Sequence, residues 1–290
     1  SAASDVYKRQ GPYFLYSWPE GPMDPTVLVL RIEDLDGSVM GFLVNYSCHA
    51  VALGPKELRI SRDYPGYALR VLEEAWNQDI IAIFMNGCCG NINPRWVWEE
   101  SKPSKSSTRP ESPEEWVRET RRLGHILGAE SLKAAESITD FSSDLELKAA
   151  RKEVELPLRD EIPEMLLKWP MDPKRKEIVL KKGREDIFDI LWELAQGKKS
   201  ITTEIQVFSI GGILLAGLPG EVFVEIQQEI RKKSETPYTF VSELANDYIF
   251  YVVTPKAFEE GGYEPTVAIV APEAAGILIQ NALSLIDKLK

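Results

Sequence analysis

The sequence predicts an α/β fold: a single domain with a mixed β-sheet flanked by helices. Three observations carry this. Residues 26–33, 40–46 and 80–84 are short apolar runs bounded by turn residues, too short for helices and rich in β-branched side chains. Residues 67–76 and 113–137 carry apolar side chains at helical spacing. Strand, helix and strand follow one another, the order that builds sheets covered by helices. At 290 residues and 44% hydrophobic content, the chain can bury one sizeable core.

Residues 1–10 resemble a translated adapter scar and are expected to be a non-native leader. The domain is then expected to run over residues 11–290 and to be incomplete at its N-terminus. The run at 26–33 meets the turn signal Asp34-Leu35-Asp36-Gly37 and continues into 40–46, which predicts a hairpin. A helix over 67–76 and a buried strand over 80–84 follow. Residues 99–112 are rich in Ser, Lys and Pro and read as a surface loop or lid. Pro113 opens a helix reaching about Ser137. Alternation at Leu145, Leu147 and Ala149, and at Val154, Leu156 and Leu158, predicts a strand or a pair with one exposed face. Residues 160–197 are charged and helical in pattern, and are expected to form a peripheral insertion. Two apolar runs around Gly211-Gly212 form a tight hairpin ending in Pro219-Gly220-Glu221. A helix from Glu221 to Ile230, a buried strand over 238–244 and a last helix over 272–289 complete the order.

The net charge of −11 argues against nucleic-acid binding, which needs clustered Lys and Arg. No apolar run approaches the roughly 20 residues that cross a bilayer. Cys48, Cys88 and Cys89 have neither zinc-finger spacing nor an even disulfide framework, so the redox compartment stays open.

Residues 44–95 gather the chemistry. His49 ends an apolar run, Asp63 lies in the turn Ser61-Arg62-Asp63-Tyr64-Pro65-Gly66, and a loop of small residues runs from Asn86 through Gly87, Cys88, Cys89, Gly90, Asn91, Ile92 and Asn93 to Pro94. Each lies where a strand should stop, and binding groups in α/β sheets gather at the carboxyl ends of strands. Each also has a plain structural reading. His49 could be a satisfied core group, Asp63 a turn cap, and Arg95 half of a salt bridge. Glu221 could simply favour a helix N-terminus. Buried inert cysteines are the ordinary reading of Cys88 and Cys89, with a thiol nucleophile activated by His49 as the rival. His125 sits within an amphipathic helix and reads as structural.

Taken in order, several pieces resemble the neutral/alkaline non-lysosomal ceramidase family from about Pro22 onward. They are Cys48-His49, Asp63 with Gly66-Tyr67-Ala68, Asn86-Gly87 with Gly90-Asn91-Ile92-Asn93-Pro94, Pro219-Gly220-Glu221, and residues 248–254 followed by Tyr263-Glu264. The resemblance implies a zinc ion held by two histidines, a glutamate and a tyrosine, with His49, Glu221 and Tyr251 as three of the four. The family's other histidine lies in an upstream His-Thr-His segment, and no histidine precedes His49 here. Three ligands alone are expected to hold zinc weakly.

The family's serine nucleophile falls at Asn93, whose amide cannot take that role. The resemblance therefore implies a zinc-dependent hydrolase that cleaves an amide or ester with a metal-activated water, acting on a small-molecule or lipid-like amide, a sphingolipid among them. In this reading Asn93, Asp63 and Arg95 serve catalysis, and Asn86, Gly90 and Asn91 bind substrate. Asp63 would fix a ligating histidine's tautomer, Arg95 would pair with a substrate anion, and Asn93 with the Gly90-Asn91 backbone would support a developing oxyanion. The alternative is a catalytically inactive relative that keeps the metal or ligand site without the serine. The family implies a secreted or periplasmic protein.

Overall fold

The computed structural model describes residues 4–7, 17–18, 21–54, 57, 59–76, 79–94, 112–160, 197–236 and 238–290. Arg95, most of the 99–112 loop and nearly all of the 160–197 insertion lie outside them.

The fold is α/β, with the described strands distributed over four small sheets. Two short strands, β1 (Ser4–Tyr7) and β2 (Ser17–Trp18), are antiparallel neighbours. The hairpin of β3 (Leu28–Glu33) and β4 (Val39–Tyr46) forms as the turn signal predicts, with the Asp34 N–H on the Ser38 carbonyl at 2.8 Å. Helix α1 (Asp63–Ala75) then crosses to β5 (Ile81–Asn86), which pairs in parallel with β4. This crossover leaves the ends of β4 and β5 side by side, so Tyr46 faces Asn86 across the ladder. The segments that follow, residues 47–49 and 87–91, therefore leave the sheet at the same edge. Strand β6 (Ile92–Pro94) pairs antiparallel with β1.

Helix α2 (Pro113–Glu136) begins with Pro113 in its first turn and the Ser112 hydroxyl accepting from the Glu115 N–H at 3.2 Å. Its contact with α1 is close because Gly124 faces that helix. A Cβ there would lie 2.5 Å from the Tyr64 carbonyl oxygen.

The alternation at 145–158 resolves into one long strand, β7 (Leu147–Pro157), antiparallel to β8 (Ser200–Ile210). Strand β8 turns through Gly211 and Gly212, both at positive φ, into β9 (Ile213–Gly217). Glu221 departs from expectation. It does not open a helix but lies in a two-residue strand, β10 (Glu221–Val222), and α3 (Val224–Lys233) starts beyond it. Gly220 at φ 75 and the hydrogen bond from Glu221 N–H to the Phe250 carbonyl, 2.8 Å, hold that segment extended. Strand β11 (Thr239–Ser242) returns parallel to β9, giving a sheet of order β11-β9-β8-β7. Strand β12 (Tyr251–Val252) pairs in parallel with β10, and α4 (Pro255–Glu260), α5 (Tyr263–Val267) and α6 (Ala274–Leu289) finish the chain. No helix among the described residues is long and apolar enough to cross a membrane.

The largest apolar cluster gathers β7 to β9, α3 and α6 around Ile205, Leu218, Ile230 and Leu278. Two smaller clusters lie under α1 and α2, and Val27 and Phe84 pack against both. Polar side chains stitch the two halves together. Arg231 of α3 pairs with buried Asp24, donates to Asn45 Oδ1 at 2.8 Å and donates to the Thr239 carbonyl at 2.9 Å. Burial pushes the Asp24 carboxyl up, yet Arg231 and the hydrogen bonds from Thr26 and Gln227 together outweigh it and hold the group below its usual range.

Candidate metal centre

The site forms where the β4 and β5 ends meet the β10 and β12 pair. His49 is fixed through its backbone, its N–H donating to the Ile92 carbonyl at 3.0 Å, and through a ring hydrogen bond to the Gly90 backbone. Its Nε2 lies 3.4 Å from Glu221 Oε2. Glu221 and Tyr251 are direct partners in the β10–β12 ladder, so their side chains leave the same face. The Tyr251 hydroxyl hydrogen-bonds the Glu221 carboxylate, and the Tyr248 hydroxyl donates to Glu221 Oε1 at 3.0 Å. Imidazole, carboxylate and phenol thus meet at one point, with the His49 and Glu221 side chains each about 15% exposed.

Burial lowers the His49 pKa, against the pull of Glu221, so the ring is neutral near pH 7. Burial also raises the Tyr251 phenol, and the Glu221 charge raises it further. A neutral imidazole, a carboxylate and a phenol that only a nearby cation would ionise make a donor set suited to a borderline dication.

The loop of small residues approaches this point through Gly90. Its N–H donates to the Val222 carbonyl at 2.9 Å, and a Cβ at Gly90 would lie 2.7 Å from the Glu221 carbonyl oxygen and 3.1 Å from the Val222 carbonyl carbon. Both clashes are with backbone, so only glycine lets the loop lie flat on β10. The segment leading to Tyr251 is strained as well: Leu244, Asn246 and Phe250 are all non-glycine residues at positive φ.

The remaining expected residues divide. Asp63, itself at φ 53, accepts from the backbone N–H groups of Ala52 at 3.0 Å, Leu53 at 2.9 Å and Tyr64 at 2.7 Å. Its hydrogen bonds brace the turn that follows His49 rather than the imidazole itself. Asn91 is occupied at both ends of its amide, Nδ2 donating to Glu225 at 2.8 Å and Oδ1 accepting from the Val224 N–H at 3.0 Å. It caps α3 from a distance. Among the described residues Asn86 Nδ2 reaches the Cys89 sulfur alone, at 3.9 Å. Asn93 is buried on β6.

All three cysteines are free and buried, and burial pushes each thiol well above its ordinary range. A thiol nucleophile facing a cleft does not fit that environment.

One residue escaped the sequence reading. Glu243, directly after β11, is only 3% exposed. Its Oε2 accepts from the N–H groups of Cys89 at 2.9 Å and Val222 at 3.0 Å, and its Oε1 faces Cys89 Sγ at 2.8 Å. Burial outweighs these bonds and pushes its pKa up to about 8, with the Glu221 charge adding to the rise. Ligand atoms of His49, Cys89 and Glu243 all lie within 4.8 Å of one another. The usable signal is an acid two residues after the apolar pair Phe240-Val241, in a strand read as buried.

Neither known family models nor curated proteins match the chain. Among solved structures it is similar to the neutral ceramidase from Pseudomonas aeruginosa, with a TM-score of 0.67 and 20% identity over 100% of this chain and 50% of that one. A ceramidase complexed with C2 gives a TM-score of 0.65 at 20% identity, over 92% of this chain and 48% of that one. The chain therefore has the neutral ceramidase fold and spans about half the length of those chains.

Proposed function

We propose that the chain is the metal-bearing part of a zinc-dependent hydrolase that cleaves an amide or ester bond, with a lipid-like N-acyl compound as its substrate class. The observation that carries this is the meeting of His49, Glu221 and Tyr251 at one partly open point. His49, Glu221 and Tyr251 would hold the ion. Zinc, when bound, supplies Lewis acidity toward a water and toward the scissile carbonyl.

The chain's own groups do the rest. His49 is held neutral, with its ring orientation fixed by the Gly90 backbone, so a nitrogen lone pair is available without a prior proton loss. Tyr248 orients the Glu221 carboxylate. Asp63 positions His49 indirectly, by fastening the turn behind it. Asn93 is proposed to face the substrate and to donate toward the oxygen that gains charge, a role the Gly90 N–H cannot share because it is spent on the Val222 carbonyl. A secreted or periplasmic setting belongs to the same reading.

Zinc content and hydrolysis of short N-acyl amides and esters by the purified protein test it. Glu221→Ala should abolish turnover and lower zinc content, whereas Asn93→Ala should cost a factor of roughly 10 to 1,000 with zinc retained. Stoichiometric zinc without turnover on any acyl substrate would favour a binding protein instead. Ceramidase activity appearing only in Asn93→Ser would mark the native chain as a relative that lost its nucleophile.

A further inference from the structure

We infer that Cys89 and Glu243 are cation ligands alongside His49, so that the ion held at this centre is bound in part by a thiolate. The inference rests on the reading that His49 ligates a metal, and it adds sulfur to the donors of that site.

Three separate segments converge to make it: the end of β4 supplies His49, the Gly-rich loop supplies Cys89, and the end of β11 supplies Glu243. Their ligand atoms lie within 4.8 Å of one another. The Cys89 sulfur and Glu243 Oε1 are 2.8 Å apart, far closer than the 3.9 Å at which Asn86 Nδ2 meets the same sulfur. An ion with a metal–sulfur bond of about 2.3 Å and a metal–oxygen bond of about 2.1 Å would take the place of the Cys89 thiol proton and of the Glu243 carboxyl proton, both of which leave to solvent. The pair need part by less than about 1 Å.

Electrostatics points the same way. Glu221 and Glu243 are both largely enclosed. Among the described residues no Lys or Arg forms an ion pair with either. Two enclosed carboxyls beside one imidazole, with no basic partner, are an arrangement that a dication relieves. A sulfur donor also sets preference. Thiolate with imidazole and carboxylate suits zinc, cadmium and cobalt, and disfavours magnesium and calcium.

Cadmium reports the sulfur directly. The chain, stripped with a chelator, is titrated with Cd²⁺ while ultraviolet sulfur-to-cadmium charge-transfer absorption is followed, and the loaded protein is examined by ¹¹³Cd NMR. Expected are a band that saturates at one equivalent and a resonance shifted downfield by sulfur. The band should be lost in Cys89→Ser and kept in Cys88→Ala, and cadmium affinity should fall at least about tenfold in Glu243→Gln. Cadmium bound without a sulfur band, or a band that survives Cys89→Ser, overturns the inference. Should Cys89→Ser fail to fold, the NMR shift of the unaltered chain decides alone. Cadmium bound without sulfur but lost in Glu221→Ala leaves the metal reading standing and removes only the thiolate. Absence of stoichiometric binding removes both.

Discussion

Replacing Asp63 with alanine should destabilise the chain by about 3–5 kcal/mol. The carboxylate accepts from the Ala52 and Leu53 N–H groups across ten and more residues, besides the local bond to Tyr64. Ala52 is fully buried, so its N–H has no water to turn to. Hydrogen bonds to a charged acceptor contribute about 1.5–3 kcal/mol each, and an alanine at φ 53 adds about 1 kcal/mol of backbone strain. Partial collapse of the turn returns some of that total. With a urea m-value of about 2–3 kcal/mol per molar, the midpoint should fall by about 1–2 M. Asp63→Asn keeps one acceptor and tolerates the left-handed backbone, so about half the loss should remain. Because the turn follows His49 directly, cadmium affinity should drop with stability in both variants. A loss under about 1 kcal/mol in Asp63→Ala, or an Asn variant as unstable as the Ala one, would refute the bracing role.

Three further outcomes follow from the geometry. Glu243 keeps its proton up to about pH 8 when folded, while the unfolded chain releases it near 4.5, so the metal-free protein should lose stability as pH rises through that window. Glu243→Gln should lack this slope in urea midpoints at pH 5, 6.5 and 8, and identical slopes would contradict the assignment. Gly90→Ala should cost about 1–3 kcal/mol and displace Glu221, since the added carbon meets backbone on β10; a variant with unchanged thermal stability and metal affinity would show that the loop can move aside. Arg231→Met should cost about 3–5 kcal/mol in chemical denaturation by leaving Asp24 buried without its cation, and a loss below about 1 kcal/mol would mean that Gln227 and Thr26 suffice.

The elements that were legible in the sequence are those with a pattern long enough to carry a period. The β3–β4 hairpin, α1 between parallel strands, α2 with its proline and serine cap, and the glycine-paired β8–β9 hairpin all declare themselves through local chemistry. Glu221 reads as helical from sequence because a two-residue strand has no periodicity, and an acid before an apolar helix looks like a first-turn residue. Its conformation is set by Phe250, about thirty residues on. Glu243 went unseen for a related reason. Nothing local distinguishes an acid pinned by two distant backbone N–H groups from one that simply ends a strand in water, and the deciding contacts come from Cys89 and Val222. Asn91 had looked free to bind a ligand because its partners, Val224 and Glu225, lie more than 130 residues away.

The pairing of Glu221 with Tyr251 has a bearing on how such chains can change over time. The two strands are parallel and two residues long, and the partners are locked by position rather than by any extended ladder. Insertions in the loops that join α3, β11 and β12 can lengthen the excursion between them without altering which atoms face each other, provided α3, β11 and the backbone at both ends are kept. A single residue gained or lost inside either pair would instead rotate one side chain to the opposite face. Lineages of this fold should therefore accumulate length differences in those loops and almost none within the dipeptides themselves, a scar pattern readable in any insertion library made from this chain.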